Sequence, residues 1–351
     1  MNTARSDIAG PAAWYGRDLR ESDEWIHRFT PDELHEIRRA IRGVRERGID
    51  LIDLAKEDFA LPELGPTLSR IQHEVVHGRG FVLLRGLPVD RYTMEEIGIA
   101  YLGIGLHFGW PVSQNAEGHL LGHVRDIGRD PTNPEHRIYT TSARHLYHTD
   151  SSDIVGLLCL QPAMRGGLSS VVSSVTVYKE MLARRPDLVA VLERPFHVDR
   201  KGEVPDGKGP HYRMGVFHHY EGHLTTIYAR DFIESAQRFD DVPRLKAEQI
   251  EALDLLDALA SHEDLRLDMT LESGDIQFLH NHQTLHARTA YEDYPEPERK
   301  RHLLRLWLAP PNGWALPPVF EERYGNIEVG TVRGGIRVPG TVLCAPLTAE
   351  K

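Results

Sequence analysis

The feature that most constrains this chain is a series of short apolar and β-branched runs that never fall into a regular strand–helix–strand alternation. They are GFVLLRGLP (80–88), DIVGLLCL (153–160), LSSVVSSVTVY (168–178), HLTTIY (223–228), IQFLH (276–280) and HLLRLWL (302–308). Each has strand length, is bounded by turn residues, and is rich in side chains that fit a pleated, half-buried surface. Helical patterns lie between them. Thr30-Pro31-Asp32-Glu33 is a capping signature, followed by Leu34, Ile37, Ile41 and Val44 at helical spacing and by Gly48 as a stop. Further helices are predicted over 64–77, 178–190 and 243–261. Many short strands with inserted helices predict an α+β protein, a β-sandwich or barrel wrapped in helices, rather than a doubly wound parallel sheet. No G-x-G-x-x-G or Walker loop follows a strand, which removes the usual footing for a nucleotide cofactor.

The expected organisation is a single domain: a helical region over 1–74, a catalytic core over 75–315 and a tail over 316–351. A formal net charge of −11 over 351 residues opposes general nucleic-acid binding, which needs clustered positive charge. Cys159 and Cys344 lack ligand spacing and are far apart, so a reducing, cytoplasmic setting is expected. The N-terminal stretch MNTARSDIAGPAAWYGRDLR has no apolar core of a signal peptide, and no apolar stretch reaches membrane-spanning length. A small-molecule partner is expected, with neither membrane nor nucleic acid. Oligomeric state is not legible.

Chemistry concentrates in the histidines. In HLYHTDSSD, His148 and Asp150 stand two apart, so in extended chain both side chains project to one side. A third ligand from a distant strand would complete the 2-His-1-carboxylate face that leaves positions open at Fe(II) for O₂ chemistry. His-x-acid spacing also occurs at His197-Val198-Asp199, His219-Tyr220-Glu221 and His262-Glu263-Asp264. Of these, 262–264 lies at a helix end and Asp199 runs into a charged stretch read as a solvated loop. His148 stands at the entrance to an apolar strand and is the strongest candidate. For the distal ligand, HNHQTLHAR offers His280, His282 and His286.

The segments GFVLLRGLP, HTD, GGLSSVVSS, LESGDIQFLHNHQTLHART and RHLLRLWLAP, in that order over residues 75–315, resemble the taurine dioxygenase and clavaminate synthase-like superfamily of Fe(II)/2-oxoglutarate oxygenases. The resemblance implies a double-stranded β-helix (jelly-roll) core flanked by helices, with Fe(II), 2-oxoglutarate and O₂ as the reaction's requirements. Its pattern of an acidic residue after a turn, an Asn and a later His is matched by Asp275, Asn281 and His286, which selects His286 beside His148 and Asp150. It further implies Arg301 as anchor for the far carboxylate of 2-oxoglutarate, with Arg305 four residues on. Ser169 would supply a hydroxyl to the same carboxylate (Ser170 if the register slips by one), and Asn115 an amide near the substrate.

Along extended chain 301, 303, 305 and 307 share a face, and arginines on the inner face of an apolar strand are costly without anionic partners. A surplus inward cation, Arg305 or else Arg288 or Arg230, motivates an anionic small-molecule substrate. Hydroxylation is the default reaction, with desaturation, cyclisation or demethylation as variants. A carboxylate at position 150 disfavours halogenation. A non-catalytic cupin-like barrel is the alternative of another class. The segment GPHYRMGVFHHYEGH (209–223) is read as a loop able to cover the site.

Overall fold

The computed structural model describes residues 10–133 and 135–349. The first nine residues, where the stretch read for a signal peptide and the expected N-terminal helical region begin, lie outside them.

Two sheets organise the chain. The larger contains β1 (Ile26–Arg28), β2 (Phe81–Arg85), β3 (Trp110–Pro111), β4 (Gly122–Val124), β6 (Ile154–Gln161), β9 (Ile276–His280) and β11 (His302–Ala309). The smaller contains β5 (His145–His148), β7 (Ser169–Ser173), β8 (Arg266–Met269) and β10 (Thr284–Arg288). The larger runs β1-β2-β9-β6-β11-β3 with β4 also on β11, and the smaller runs β8-β7-β10-β5. Apart from the parallel β1–β2 pair, the ladders are antiparallel.

Strand alternation sorts the core into three layers. On β11, Leu303, Trp307 and Ala309 point between the sheets, where they meet Val171 of β7 and Leu267 and Met269 of β8. Leu304, Leu306 and Leu308 point the other way, onto helices Pro31–Arg47, Leu64–His77 and Met94–Gly105. Behind the smaller sheet, Val172, Leu285 and Ala287 pack on helices Ser174–Arg184, Pro186–Leu192 and Ala247–Ala260. The molecule is thus a mixed α/β fold whose two sheets face each other between helical layers.

Local chemistry accounts for the helices. Thr30 accepts from the Glu33 N–H and Glu33 returns a bond to the Thr30 N–H, while Gly48 ends the helix at φ 64°. Met94–Gly105 has no predicted counterpart. Its start is marked by the same reciprocal bonding between Thr93 and Glu96, but it is apolar nearly all round because both faces are covered, so no amphipathic stripe betrays it.

Three expectations are corrected. The strand predicted over 168–178 stops at Ser173, whose hydroxyl caps the following helix by accepting from the Thr176 N–H. Buried packing then carries Val175 and Val177 as helix despite their β-branching. The segment 209–223 is no free loop: His211–Met214 pairs with Phe196–Asp199, Phe217–Tyr220 pairs with His223–Thr226, and Tyr212, Met214, Val216 and Phe217 are core. The stretch after Asp199 is a loop only partly solvated, since Arg200 and Lys201 are buried while Gly202 is exposed. Among the described residues no helix is long and apolar enough to cross a membrane.

Candidate active site

The site lies where β5 and β10 pair. His286 stands directly opposite His148 in that ladder, and Asp150 follows two residues beyond the end of β5. His148 Nε2 lies 3.8 Å from Asp150 Oδ1 and His286 Nε2 3.7 Å from Asp150 Oδ2. These spans are too long for hydrogen bonds but suit donors that flank one ion. The three side chains are buried, and one ligand atom from each lies within 4.8 Å of the others.

The surroundings set the orientation and charge of these side chains. His148 Nδ1 donates to the Leu146 carbonyl (2.8 Å), which leaves Nε2 as the free lone pair. Burial, aided by the nearby His148, lowers the His286 pKa to about 3, so its imidazole is neutral. For Asp150, burial alone would raise the pKa. Arg305, both histidines and the Trp307 hydrogen bond overcome it and hold the carboxyl at about 2. Two imidazoles and a carboxylate are the donor set that Fe(II) takes in open-sided oxygenase sites.

Asp150 is held from several directions. Its backbone N–H donates to Asn281 Oδ1 (3.0 Å) and its Oδ2 accepts from Trp307 Nε1 (3.0 Å). The residues after it are gripped by the C-terminal segment. Arg323 donates to Ser151 Oγ, Tyr324 to the Ser152 carbonyl and the Gly335 N–H to the Ser151 carbonyl. Gly335 sits at φ 78°, and a Cβ there would lie 2.7 Å from the Ser113 carbonyl oxygen, so this approach requires glycine. None of these grips was legible, because the segment has no chemical signature of its own. Trp307→Phe keeps the packing and removes the bond to Asp150, and is expected to weaken Fe(II) affinity by about 10–100-fold. Equal iron titrations for the two proteins would refute that role.

An inner cavity bordered by His148, Asp150 and His286 is lined further by Ser169, Arg288, Arg301 and Arg305 together with Leu157, Leu271 and Leu303. Arg301 is 4% exposed, makes no ion pair among the described residues, and leaves Nη1 buried without a partner. Its guanidinium lies over one side of the Tyr291 ring system at 5.0 Å, and that of Arg288 lies over the same ring at 4.8 Å. Burial lowers the pKa of both, that of Arg288 to about 10. Ser169 faces this cavity and bonds Gln277, whereas Ser170 turns away to Tyr147 and Asp268.

A second small cavity also reaches His148 and Asp150 and is lined by Arg137, Tyr139, Asp231, Phe232, Arg305, Trp307 and Arg323. Beyond it opens a cleft of about 490 Å³. Arg305 and Tyr139 border all three spaces. Arg305 donates through Nε to Gln114 Oε1 (2.7 Å) and is held over Tyr139 and Trp307 at 4.5 and 4.8 Å.

The family model described as Taurine catabolism dioxygenase TauD, TfdA family matches residues 47–307, about three quarters of the chain. The chain belongs to the TauD/TfdA family. It is an Fe(II)- and 2-oxoglutarate-dependent dioxygenase, with O₂ as the oxidant. Among the relatives of this TauD/TfdA protein is FR-33289 synthase of Streptomyces rubellomurinus, 30% identical over 317 residues, 89% of this chain and 93% of that one. Another is the taurine hydroxylase-like protein SAT17 of Stachybotrys chartarum, also 30% identical, over 87% of this chain and 81% of that one. Its fold is shared with asparagine oxygenase solved with Fe(II), 3-hydroxyasparagine and succinate (TM-score 0.62, 16% identity, 81% of this chain and 93% of that one). The non-haem iron oxygenase OrfP, solved with Fe and α-ketoglutaric acid, is similar (TM-score 0.61, 15% identity, 81% and 93%).

Other sequence candidates fall elsewhere. Asn115 borders only the outer cleft, where its amide is engaged by His119, and the amide that reaches Arg305 belongs to its neighbour Gln114. Arg230 is neutralised by Glu234, Asp254 and Asp257. Asp275 is bound by Arg85. Asp199 is buried against Arg238 and Ser235. His280 and His282 form a separate buried group with Asp153, but there the guanidinium of Arg333 already lies on the carboxylate (2.6 Å) and supplies the cation.

Proposed function

We propose that this dioxygenase hydroxylates a small anionic organic molecule at iron held by His148, Asp150 and His286, with 2-oxoglutarate leaving as succinate and CO₂. The two facing sheets are read as a double-stranded β-helix, with the ligands projecting from the smaller sheet into the space between. The observation that most supports the reading is the juxtaposition of an Fe(II)-type donor triad with a buried Arg301 that has no anionic partner. A guanidinium sequestered from water in this way is costly until a carboxylate reaches it, and its planar fork suits one. Arg301 would therefore take the far carboxylate of 2-oxoglutarate, with Ser169 on the same wall.

Bound Fe(II) supplies the oxidising chemistry, and the chain supplies position and exclusion of water. Arg288 ties the inner cavity to its cover by donating to the carbonyls of Thr141 and Ala143, while Tyr139 from that covering segment rests on Arg305. Arg305, at the junction of all three spaces, would orient the substrate's anionic group.

The test is anaerobic titration of the metal-free protein with Fe(II) and 2-oxoglutarate, read as the visible charge-transfer band. Wild type should show a band that needs both additions. Arg301→Ala should require about 10–100-fold more 2-oxoglutarate, as expected for loss of a charge-assisted bidentate contact of about 1.5–3 kcal/mol. A band that forms as readily in Arg301→Ala would remove this residue from the cosubstrate site, and no band in wild type would end the dioxygenase assignment of the triad.

A further inference from the structure

Resting on the reading just given, we infer that the substrate bears a dianionic tetrahedral group, a phosphate monoester or a phosphonate, received by Arg305 and Arg323 in the cavity beside Asp150.

The charges around that cavity lead there. Its ionic walls are Arg137, Arg305, Arg323, Asp150 and Asp231. Asp231 is satisfied by Lys201 Nζ at 2.8 Å, and Arg137 by the carboxylate of Glu203. Fe(II), Asp150 and the metal-binding carboxylate of 2-oxoglutarate sum to zero, and Arg301 answers the far carboxylate. Arg288 lines the inner cavity instead, on the Thr141 and Ala143 carbonyls, so around this second cavity two positive charges are left. Arg305 has only Asp150, at 3.9 Å, and that carboxylate is claimed by the metal. Arg323 has no carboxylate in ion-pair range among the described residues. Its Nε and Nη2 both donate to the hydroxyl of Ser151, at 2.9 and 2.7 Å.

Both guanidiniums are already held in place, Arg305 by Gln114 and two aromatic faces and Arg323 by Ser151, so little ordering is required when a ligand arrives. A carboxylate or sulfonate would neutralise one of them and leave the other uncompensated in a confined space. A doubly charged group with three terminal oxygens can neutralise both. Arg305 comes from a core strand, whereas Arg323 comes from the C-terminal segment, so the second charge is a specificity element added by the part of the chain that grips the Asp150 loop.

The test compares methylphosphonate, methyl phosphate, methanesulfonate and acetate at fixed ionic strength. Binding is measured by calorimetry on the metal-free protein and, separately, by their perturbation of the Fe(II)–2-oxoglutarate band. The phosphorus compounds should bind at least about 10-fold more tightly than the monoanions, one such pairing being worth about 1.4 kcal/mol. Their affinity should rise with pH as the second proton leaves, near pH 6 for a phosphate ester. Arg323→Ala should weaken the phosphorus compounds about 10-fold while leaving methanesulfonate within about threefold, and Arg323→Lys should restore part of the loss. Whichever of the two, phosphonate or phosphate ester, stimulates succinate release when carried on longer chains identifies the source. Equal affinity for all four anions, or no effect of Arg323→Ala on the phosphorus compounds, would overturn the inference. Absence of the band in wild type would instead overturn the dioxygenase reading, and calorimetry would still decide the anion class.

Discussion

His286→Ala protein should lose Fe(II) binding by more than about 100-fold, beyond what removing a partner behind a ligand produces. It should also show neither the band with 2-oxoglutarate nor substrate-dependent succinate release. The argument is geometric. His148 and Asp150 come from one short stretch of chain, so only His286, in register with His148 across the β5–β10 ladder, closes the donor set from a second strand. The loss should be specific to the metal, because His286 Nδ1 makes no hydrogen bond within the protein and no ion pair shorter than 3.7 Å depends on the ring. The metal-free variant should therefore melt near the wild type, while the stabilisation that Fe(II) confers on the folded wild type disappears. Added imidazole, which can enter the vacated space, should restore part of the iron binding. Retention of iron with wild-type affinity would show that the metal sits elsewhere.

How legible this was differed by residue, for physical reasons. Strands such as Ile276–His280 and His302–Ala309 are buried on both faces and read as strong apolar runs, and the alternation along the latter correctly set Arg305 and Trp307 on one face. The strands that hold the histidines were far weaker signals. His145–His148 and Thr284–Arg288 are short and rich in polar residues because one face of each is the site itself, so function erased the pattern that would have revealed them. Family resemblance, not periodicity, separated His286 from His280 and His282. The segment 209–223 was misread because its glycines and histidines resemble a loop, whereas His211, His218, His219 and His223 lie in the strands of two hairpins and Gly222 turns the second. Least legible was the C-terminal segment: Arg323 and Arg333 act through partners more than 170 residues away in sequence, and no local pattern encodes such a contact.

Arg333 gives the largest expected effect on stability. Its Nε and Nη2 hold the fully buried Asp153 at 3.0 and 2.6 Å, and its other bonds reach the carbonyls of Trp314 and Ile327. Arg333→Ala leaves a buried carboxylate supported by His282 alone (2.9 Å) and should cost about 3–5 kcal/mol, the range for breaking a buried ion pair from one side. For a chain of this size that corresponds to a fall in Tm of roughly 4–7 °C. Since Asp153 lies three residues past Asp150, iron affinity should fall as well. Removing both charges, Arg333→Met with Asp153→Leu, should recover most of the stability, because the penalty comes from the stranded charge rather than from a lost attraction. The pH dependence follows with a definite sign. Although burial alone would raise it, the Asp153 pKa is held far below the carboxylate range by His282 and Arg333, so its contribution is complete above about pH 3.9 and is lost as pH falls through and below that value. His280 and His282 are kept neutral by burial, so their share begins to be lost below about pH 6.5. Without Arg333 the folded pKa of Asp153 rises, and the acid-unfolding midpoint should move to higher pH. If the single variant instead melts with the wild type, or if the double variant is less stable than the single one, the pair is not what anchors the C-terminal segment to the Asp150 loop.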